Sequence, residues 1–267
     1  MARDRFSARG RERDADFVAV EEPLEIRVRG NPLAVLMRLP GRERDLVAGF
    51  LGSEGVLRDS GDLGPIEPCL DLESGRPSPN VWNAGLADGV AFDPRERRFG
   101  VISSSCGLCG TRTLEDLEKV LHALPRVPAA LPAGFFQDSF QRLEEDQEVF
   151  RRTAGVHAAA LFHPQGACLD VAEDVGRHNA VDKVLGARLR EGRYPSPEPA
   201  VLLVSGRISF EIVQKAALGG VGVVAGVSAP TSLAIEGAGR FGMTLFGLAR
   251  GDRVNRYAGR VKLPSPG

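Results

Sequence analysis

The sequence predicts an α/β protein: a three-layer domain with a mixed, partly parallel sheet, preceded by a smaller N-terminal α+β subdomain. Two patterns carry this reading. Between residues 200 and 250, short apolar runs alternate with helical spacing in the order strand–helix–strand–helix–strand, which is the signature of layered α/β folds. Before residue 125 the apolar residues alternate in twos around turn residues, the pattern of hairpins. With 267 residues, 43% hydrophobic and 26% charged, the chain can also bury a sizeable core.

Residues 1–16 mix Arg with Asp and Glu and read as a disordered tail. Leu24, Ile26 and Val28 alternate with charges. Gly30-Asn31 and Leu33–Leu39 follow, which predicts a hairpin. Leu46, Val47, Phe50 and Leu51 share a helical face over 42–51. Residues 59–80 are rich in Pro, Gly, Asp and Ser and read as a loop, and 90–92 with 97–102 as a second hairpin. Helical spacing returns at Leu114, Leu117, Val120, Leu121 and Leu124. The N-terminal subdomain therefore spans 17–124. Three prolines mark 125–134 as a linker, and 135–154 reads as one helix burying Phe136, Phe140, Leu143 and Phe150.

The α/β domain then spans 135–258, with 259–267 as a C-terminal tail. Its strands are expected at 157–162, 168–172, 201–205, 221–227 and 243–248. Its helices are expected at 179–190, 210–218 and 231–238, with right-handed crossovers. Lys+Arg minus Asp+Glu is 34 − 35 = −1, which argues against a generic nucleic-acid binder. No apolar run approaches the roughly 18–20 residues of a membrane helix. The Arg-rich N-terminus lacks the apolar core of a secretory signal. A cytoplasmic protein is expected.

Of four cysteines, Cys106 and Cys109 form a C-x-x-C within SSSCGLCG (103–110). The motif falls between a strand and a predicted helix start, where unpaired N–H groups and the helix dipole favour a thiolate. Two thiols at this spacing can hold and hand on sulfur or cycle through a disulfide. Half of a zinc site is the alternative. It needs two more ligands, which only Cys69, Cys168, His157 or His178 could supply, and no metal is expected. Cys69 stands alone in a loop, and Cys168 reads as a small buried hydrophobe. His122 and His163 read as surface and turn residues.

Three further segments carry polar chemistry. In EDVGRHNAVDK (173–183), His178 with Asp174 or Asp182 could form an orienting or acid–base pair, and Arg177 could grip an anion. Solvated capping residues are the plainer reading. The loops at Ser205-Gly206-Arg207 and Ser228–Thr231 each join a buried strand to a helix start, where backbone N–H groups receive anions. Both lie at strand carboxyl ends, the usual ligand face of such sheets, so together they suggest a phosphorylated or nucleotide-like ligand. Ordinary helix caps remain the alternative. Phe246-Gly247-Leu248-Ala249-Arg250-Gly251 ends the last strand on the same rim.

Taken together, EEPLEIRVRGNP (21–32), GFLGSEGV (49–56), SSSCGLCG (103–110), GVHAAALF (155–162), EDVGRHNAVDKVLG (173–186), the stretch 205–236 and LFGLARG (245–251) resemble the formate dehydrogenase accessory sulfurtransferases, FdhD, over residues 17–258. The resemblance implies a sulfur relay. Cys106 would take sulfur as a persulfide from a cysteine desulfurase, with Cys109 as partner. It would pass the sulfur to the bis-molybdopterin guanine dinucleotide cofactor of a molybdenum- or tungsten-dependent formate dehydrogenase. It also implies cofactor binding by residues 246–251, a cytidine-deaminase-like catalytic domain and a homodimer. Two positions depart from the family pattern: Gly52, usually bulkier, and Ala154, commonly Gly.

Two rival enzymes fit less well. A zinc deaminase needs H-x-E before its P-C-x-x-C, and His157-Ala158-Ala159 lacks the Glu. A thioredoxin-like oxidoreductase explains CGLC but nothing of 173–251. A non-catalytic chaperone for the molybdenum cofactor, needing no thiol, is the reading from another class.

Overall fold

The structure, a computed structural model, describes residues 1–7, 10–93, 100–102, 121, 123–125, 127–251 and 253–264. The thiol loop with Cys106 and Cys109, most of the helix predicted after it, and His122 lie outside the described residues.

Two sheets share one continuous core. The first has five strands in the order β5-β6-β3-β4-β7: β3 (Glu22–Val28), β4 (Asn31–Arg38), β5 (Leu63–Leu70), β6 (Pro77–Leu86) and β7 (Gly100–Ile102). β3 and β4 form the expected hairpin. Its turn is Arg29-Gly30, both at positive φ (49° and 80°), the hand that suits a two-residue hairpin. The loop read over 59–80 is instead strands β5 and β6. Prolines hide such strands from a sequence reading, but β5 is an edge strand, where Pro65 and Pro68 need no N–H for the ladder. The second hairpin does not form: β7 pairs with β4 in parallel, and 91–93 carry no strand.

Residues 1–16 likewise differ from the tail expected. They form an antiparallel ribbon of β1 (Ala2–Ser7) and β2 (Gly10–Ala15). Its alternating charges pair as Arg3 with Asp14 and Asp16, and Arg11 with Asp4.

The second sheet has six strands in the order β13-β12-β11-β10-β8-β9: β8 (His157–Phe162), β9 (Cys168–Asp174), β10 (Val201–Val204), β11 (Val223–Gly226), β12 (Thr244–Arg250) and β13 (Arg253–Ala258). β10, β11 and β12 run parallel, and the outer pairings are antiparallel. The mixed sheet is thus as expected, with β13 an additional strand.

Alternation along the strands divides their side chains between two cores. Ala158, Ala160, Phe162, Val201, Leu203 and Phe246 face α2 (Phe135–Asp146). The helix expected over 135–154 breaks at Gln147 into α2 and α3 (Glu148–Thr153), which leaves Phe150 exposed. α3 ends on Ala154 at φ 51°. A glycine would occupy that left-handed position at roughly 1–2 kcal/mol less cost. Leu131 and Val261 also enter this core, and Ala130 bridges to Lys262. Residues of the expected linker and C-terminal tail are therefore packed parts of the domain.

The other face of the sheet packs on α4 (Arg177–Arg190), α5 (Phe210–Leu218) and α6 (Ser232–Arg240). α4 in turn packs against α1 (Glu43–Ser53), which joins the two sheets. The helices nearly touch at two glycines. A Cβ on Gly49 would land on the Asp182 carbonyl, and one on Gly186 on the Asp45 carbonyl. Gly52, the first departure from the family pattern, faces Tyr194: a Cβ there would lie 2.9 Å from the tyrosine Cζ. The small residue makes room for that ring.

Candidate functional site

Strand direction assembles one polar rim. β10, β11 and β12 are parallel, so their carboxyl ends and following loops lie along the same edge. β8 runs the other way beside β10, so its first residue, His157, joins that edge. β9 ends next to His157, and α4 begins there with Arg177 and His178. The loops are tied to one another. Thr231 N–H donates to the Ile208 carbonyl at 3.0 Å and Leu248 N–H to the Ser228 carbonyl at 3.2 Å. Gly247 permits the second contact, because a Cβ there would lie 2.8 Å from Pro230 Cδ.

At the β8 end of the rim, Arg177, His178, Ser205, Gly206 and Arg207 come together with His157, Ser209 and Glu211. Gly206 lies against the His157 ring and the Arg177 stem. His178 Nε2 is 3.2 Å from Ser209 Oγ and 3.8 Å from Glu211. Ser205 Oγ accepts from Ala158 N–H at 2.8 Å. Arg177 Nε is buried without a hydrogen-bond partner among the described residues. Positive charge is concentrated here: burial and Arg207 push the Arg177 pKa down, and burial and Arg177 lower that of His157.

His178 is pushed down to about 3 by burial, then by Lys215, Arg177 and His157, so it is neutral near pH 7. The unfolded chain protonates this imidazole near its ordinary value of about 6.5, and the folded chain does not. The stabilising contribution is therefore complete above about pH 6.5 and lost as pH falls toward about 3. At about pH 5 the loss is about 2 kcal/mol. His178→Gln is expected to remove that share of the decline in urea-unfolding free energy between neutral pH and about pH 5. An unchanged decline would reject the assignment.

The remaining charges of 173–183 do not face the rim, which corrects the pairing of His178 with Asp174 or Asp182. Asp174 is fully buried and binds Lys183 Nζ at 2.7 Å. It also accepts from Gly176 N–H and Asn179 Nδ2, both at 2.9 Å, and from Leu39 N–H at 3.2 Å. Asn179 donates to Met37 O and Lys183 to Leu39 O. These residues stitch the six-stranded sheet to the chain leaving β4. Asp182 binds Lys215 Nζ with both oxygens at 2.9 Å and accepts from Ser53 Oγ at 2.7 Å.

Among the other candidates, Leu248, Arg250, Gly251 and Thr231 are exposed and Ser228 is half-buried. Thr231 caps α6, accepting from Ala234 N–H. Phe246 is 1% exposed and packs on Phe136, with ring centroids 4.9 Å apart. Ala249 is buried and Gly247 closely packed. These three shape the rim from beneath. Cys168 is exposed rather than buried, because it opens edge strand β9. Cys69 lies on β5 and is half-buried. Among the described residues, no group of three or more His, Cys, Asp or Glu could hold a metal ion.

A cavity of about 480 Å³ runs along β9, between Cys168, Asp170, Arg42 and Arg142. Its two arginines are already paired, Arg42 with Asp45 and Asp170, and Arg142 with Asp146.

From the sequence alone, His157 stands out only as a possible zinc or deaminase ligand, Ser209 only as part of the loop that follows Val204, and Glu211 not as a site residue. A histidine opening a strand antiparallel to β10 signals rim placement only once that pairing is known. Ser209 precedes the first residue of α5 and could have been noted as a cap.

The family model described as FdhD/NarQ matches residues 19–263. The chain belongs to the FdhD/NarQ family. Relatives bearing the name sulfur carrier protein FdhD include one from Anaeromyxobacter dehalogenans, 47% identical over 265 residues, with 93% of this chain and 88% of the relative covered. Another, from Nocardia farcinica, is 44% identical over 263 residues, with 98% and 93% covered. A crystal structure of a Desulfotalea psychrophila protein assigned as a formate dehydrogenase accessory protein superposes with a TM-score of 0.76. It shares 23% identity and covers 98% of each chain, a likeness of fold. Among the described residues of this FdhD/NarQ member, no helix is long and apolar enough to cross a membrane.

Proposed function

We propose that this protein carries sulfur for the maturation of formate dehydrogenase. The observation that carries the reading is its identity of 44–47% with proteins named sulfur carrier protein FdhD, together with the C-x-x-C at Cys106 and Cys109. In the first step the Cys106 thiolate attacks the outer sulfur of a persulfide on a cysteine desulfurase. The donor's S–S bond breaks and its inner thiolate leaves as a new S–S bond forms on Cys106. The exchange needs no external oxidant or reductant. Cys109 is the partner thiol.

The acceptor is the bis-molybdopterin guanine dinucleotide cofactor, bound at the rim as cargo. Its phosphates suit the guanidiniums of Arg177, Arg207 and Arg250, which have no carboxylate salt bridge among the described residues, and the backbone around Ser205, Gly206, Ser228 and Thr231. His178 stays neutral and offers hydrogen bonds without adding charge. The protein acts in the cytoplasm as a homodimer, on a cytidine-deaminase-like mixed sheet.

Intact mass after incubation with a cysteine desulfurase and cysteine tests the relay. Wild type is expected to gain sulfur, reversibly with reductant. Cys106→Ala is expected to gain none and to lose activation of formate dehydrogenase to background. Activation preserved in Cys106→Ala would instead favour a non-catalytic cofactor chaperone. No added sulfur on any form, with tightly bound zinc, would sink the relay.

A further inference from the structure

The two edges of the six-stranded sheet are treated differently. On β9, Arg42 donates to the Val171 carbonyl at 2.7 Å and Lys183 to the Glu173 carbonyl at 3.1 Å. Side chains thus satisfy backbone groups that could otherwise pair with another chain. Among the described residues, β13, the other edge, has no second strand against it, and no other segment hydrogen-bonds to its backbone.

β13 is also basic. Arg250, Arg253, Arg256 and Arg260 fall within eleven residues, against one acid, Asp252, outside the described residues. All four arginines are exposed. None pairs with a carboxylate among the described residues, and Arg256 reaches only the Val261 carbonyl. Elsewhere arginines are commonly paired, as Arg38, Arg42, Arg188 and Arg193 are. Repeated like charge on an open edge can protect against aggregation. Here it also adjoins the rim, because Arg250 ends β12 and Arg253 opens β13 directly opposite it.

We propose that β13 is a docking edge for an acidic, extended segment of the protein that receives the rim's cargo. The segment would add to the sheet as a further strand, its main chain pairing with β13 and its carboxylates with Arg253, Arg256 and Arg260. A second copy is disfavoured, since pairing β13 with itself would set arginine against arginine. A single-stranded nucleic acid would need exposed aromatic platforms, and the one aromatic of β13, Tyr257, is half-buried against Gly247. The inference rests on the proposed function, which makes the recipient a formate dehydrogenase.

The test measures binding of the full chain to purified cofactor-free formate dehydrogenase at low and physiological salt. It compares wild type with Arg253→Glu/Arg256→Glu/Arg260→Glu and with the corresponding triple Gln variant. The Glu triple is expected to bind at least about tenfold more weakly at low salt, and both triples to show a shallower salt dependence. Thermal midpoint and sulfur loading should be unchanged. Hydrogen exchange should show the Arg253–Ala258 amides protected when wild type binds. If wild type binds and the triples bind equally well, or these amides stay unprotected, the docking edge is wrong while the function stands. If wild type does not bind the enzyme at all, the functional reading fails and the docking edge with it. RNA binding or self-association lost in the triples, without enzyme binding, would overturn the choice of partner.

Discussion

Gly186→Ala is expected to destabilise the protein by about 3 kcal/mol or more, the upper end of the cost of overpacking. The added methyl would meet the Asp45 carbonyl and lie 2.6 Å from Gly49 N. Both are helix backbone and cannot rotate away as a side chain can. α1 and α4 would have to separate, which uncovers the buried residues Leu46, Val47, Val184 and Leu185. Gly239→Ala is the contrast. A Cβ there meets nothing within 4 Å, so helix propensity alone acts and stabilises by roughly 0.5–1 kcal/mol. Urea unfolding of both variants decides the matter. Near-wild-type stability in Gly186→Ala would mean that the helices do not cross this closely.

Lys183→Met is expected to cost about 3–5 kcal/mol, because it leaves a buried carboxylate without its counter-ion. Asp174 would keep three N–H donors but no positive charge. The effect should reach the rim, since Asp174 anchors Gly176, the residue before Arg177. Arg142→Met, which breaks the exposed pair with Asp146, is expected to change stability by less than about 0.5 kcal/mol. Equal effects of the two substitutions in urea unfolding would show that the Asp174–Lys183 pair is open to water.

The stretch 173–183 shows how far a sequence can be read. Its density of charge marks it as special, but function and structure are interleaved within it. Arg177 and His178 face the rim. Asp174, Asn179 and Lys183 hold the chain after β4, and Asp182 meets Lys215 and Ser53. These partners lie up to 144 residues away along the chain, so no local pattern announces them. Prolines concealed β5 and β6 in the same way, because a proline on edge strand β5 or at the start of β6 looks like a proline in a loop until strand order is known.

What the sequence by itself determined is local. Apolar periodicity placed the strands and helices of 157–250, and turn residues placed the loops at strand carboxyl ends. The motifs around Cys106 and Arg177 carried the family. Only the tertiary structure decided which polar side chains reach solvent together. It turned β8 against β10, so that His157 joined the rim, and sank Phe246 into the core beneath it. It also left β13 open at the sheet's edge. The physical reason is that periodicity reports which face of an element is apolar. Burying a charge requires a partner, and the partner is set by packing between segments far apart in the chain.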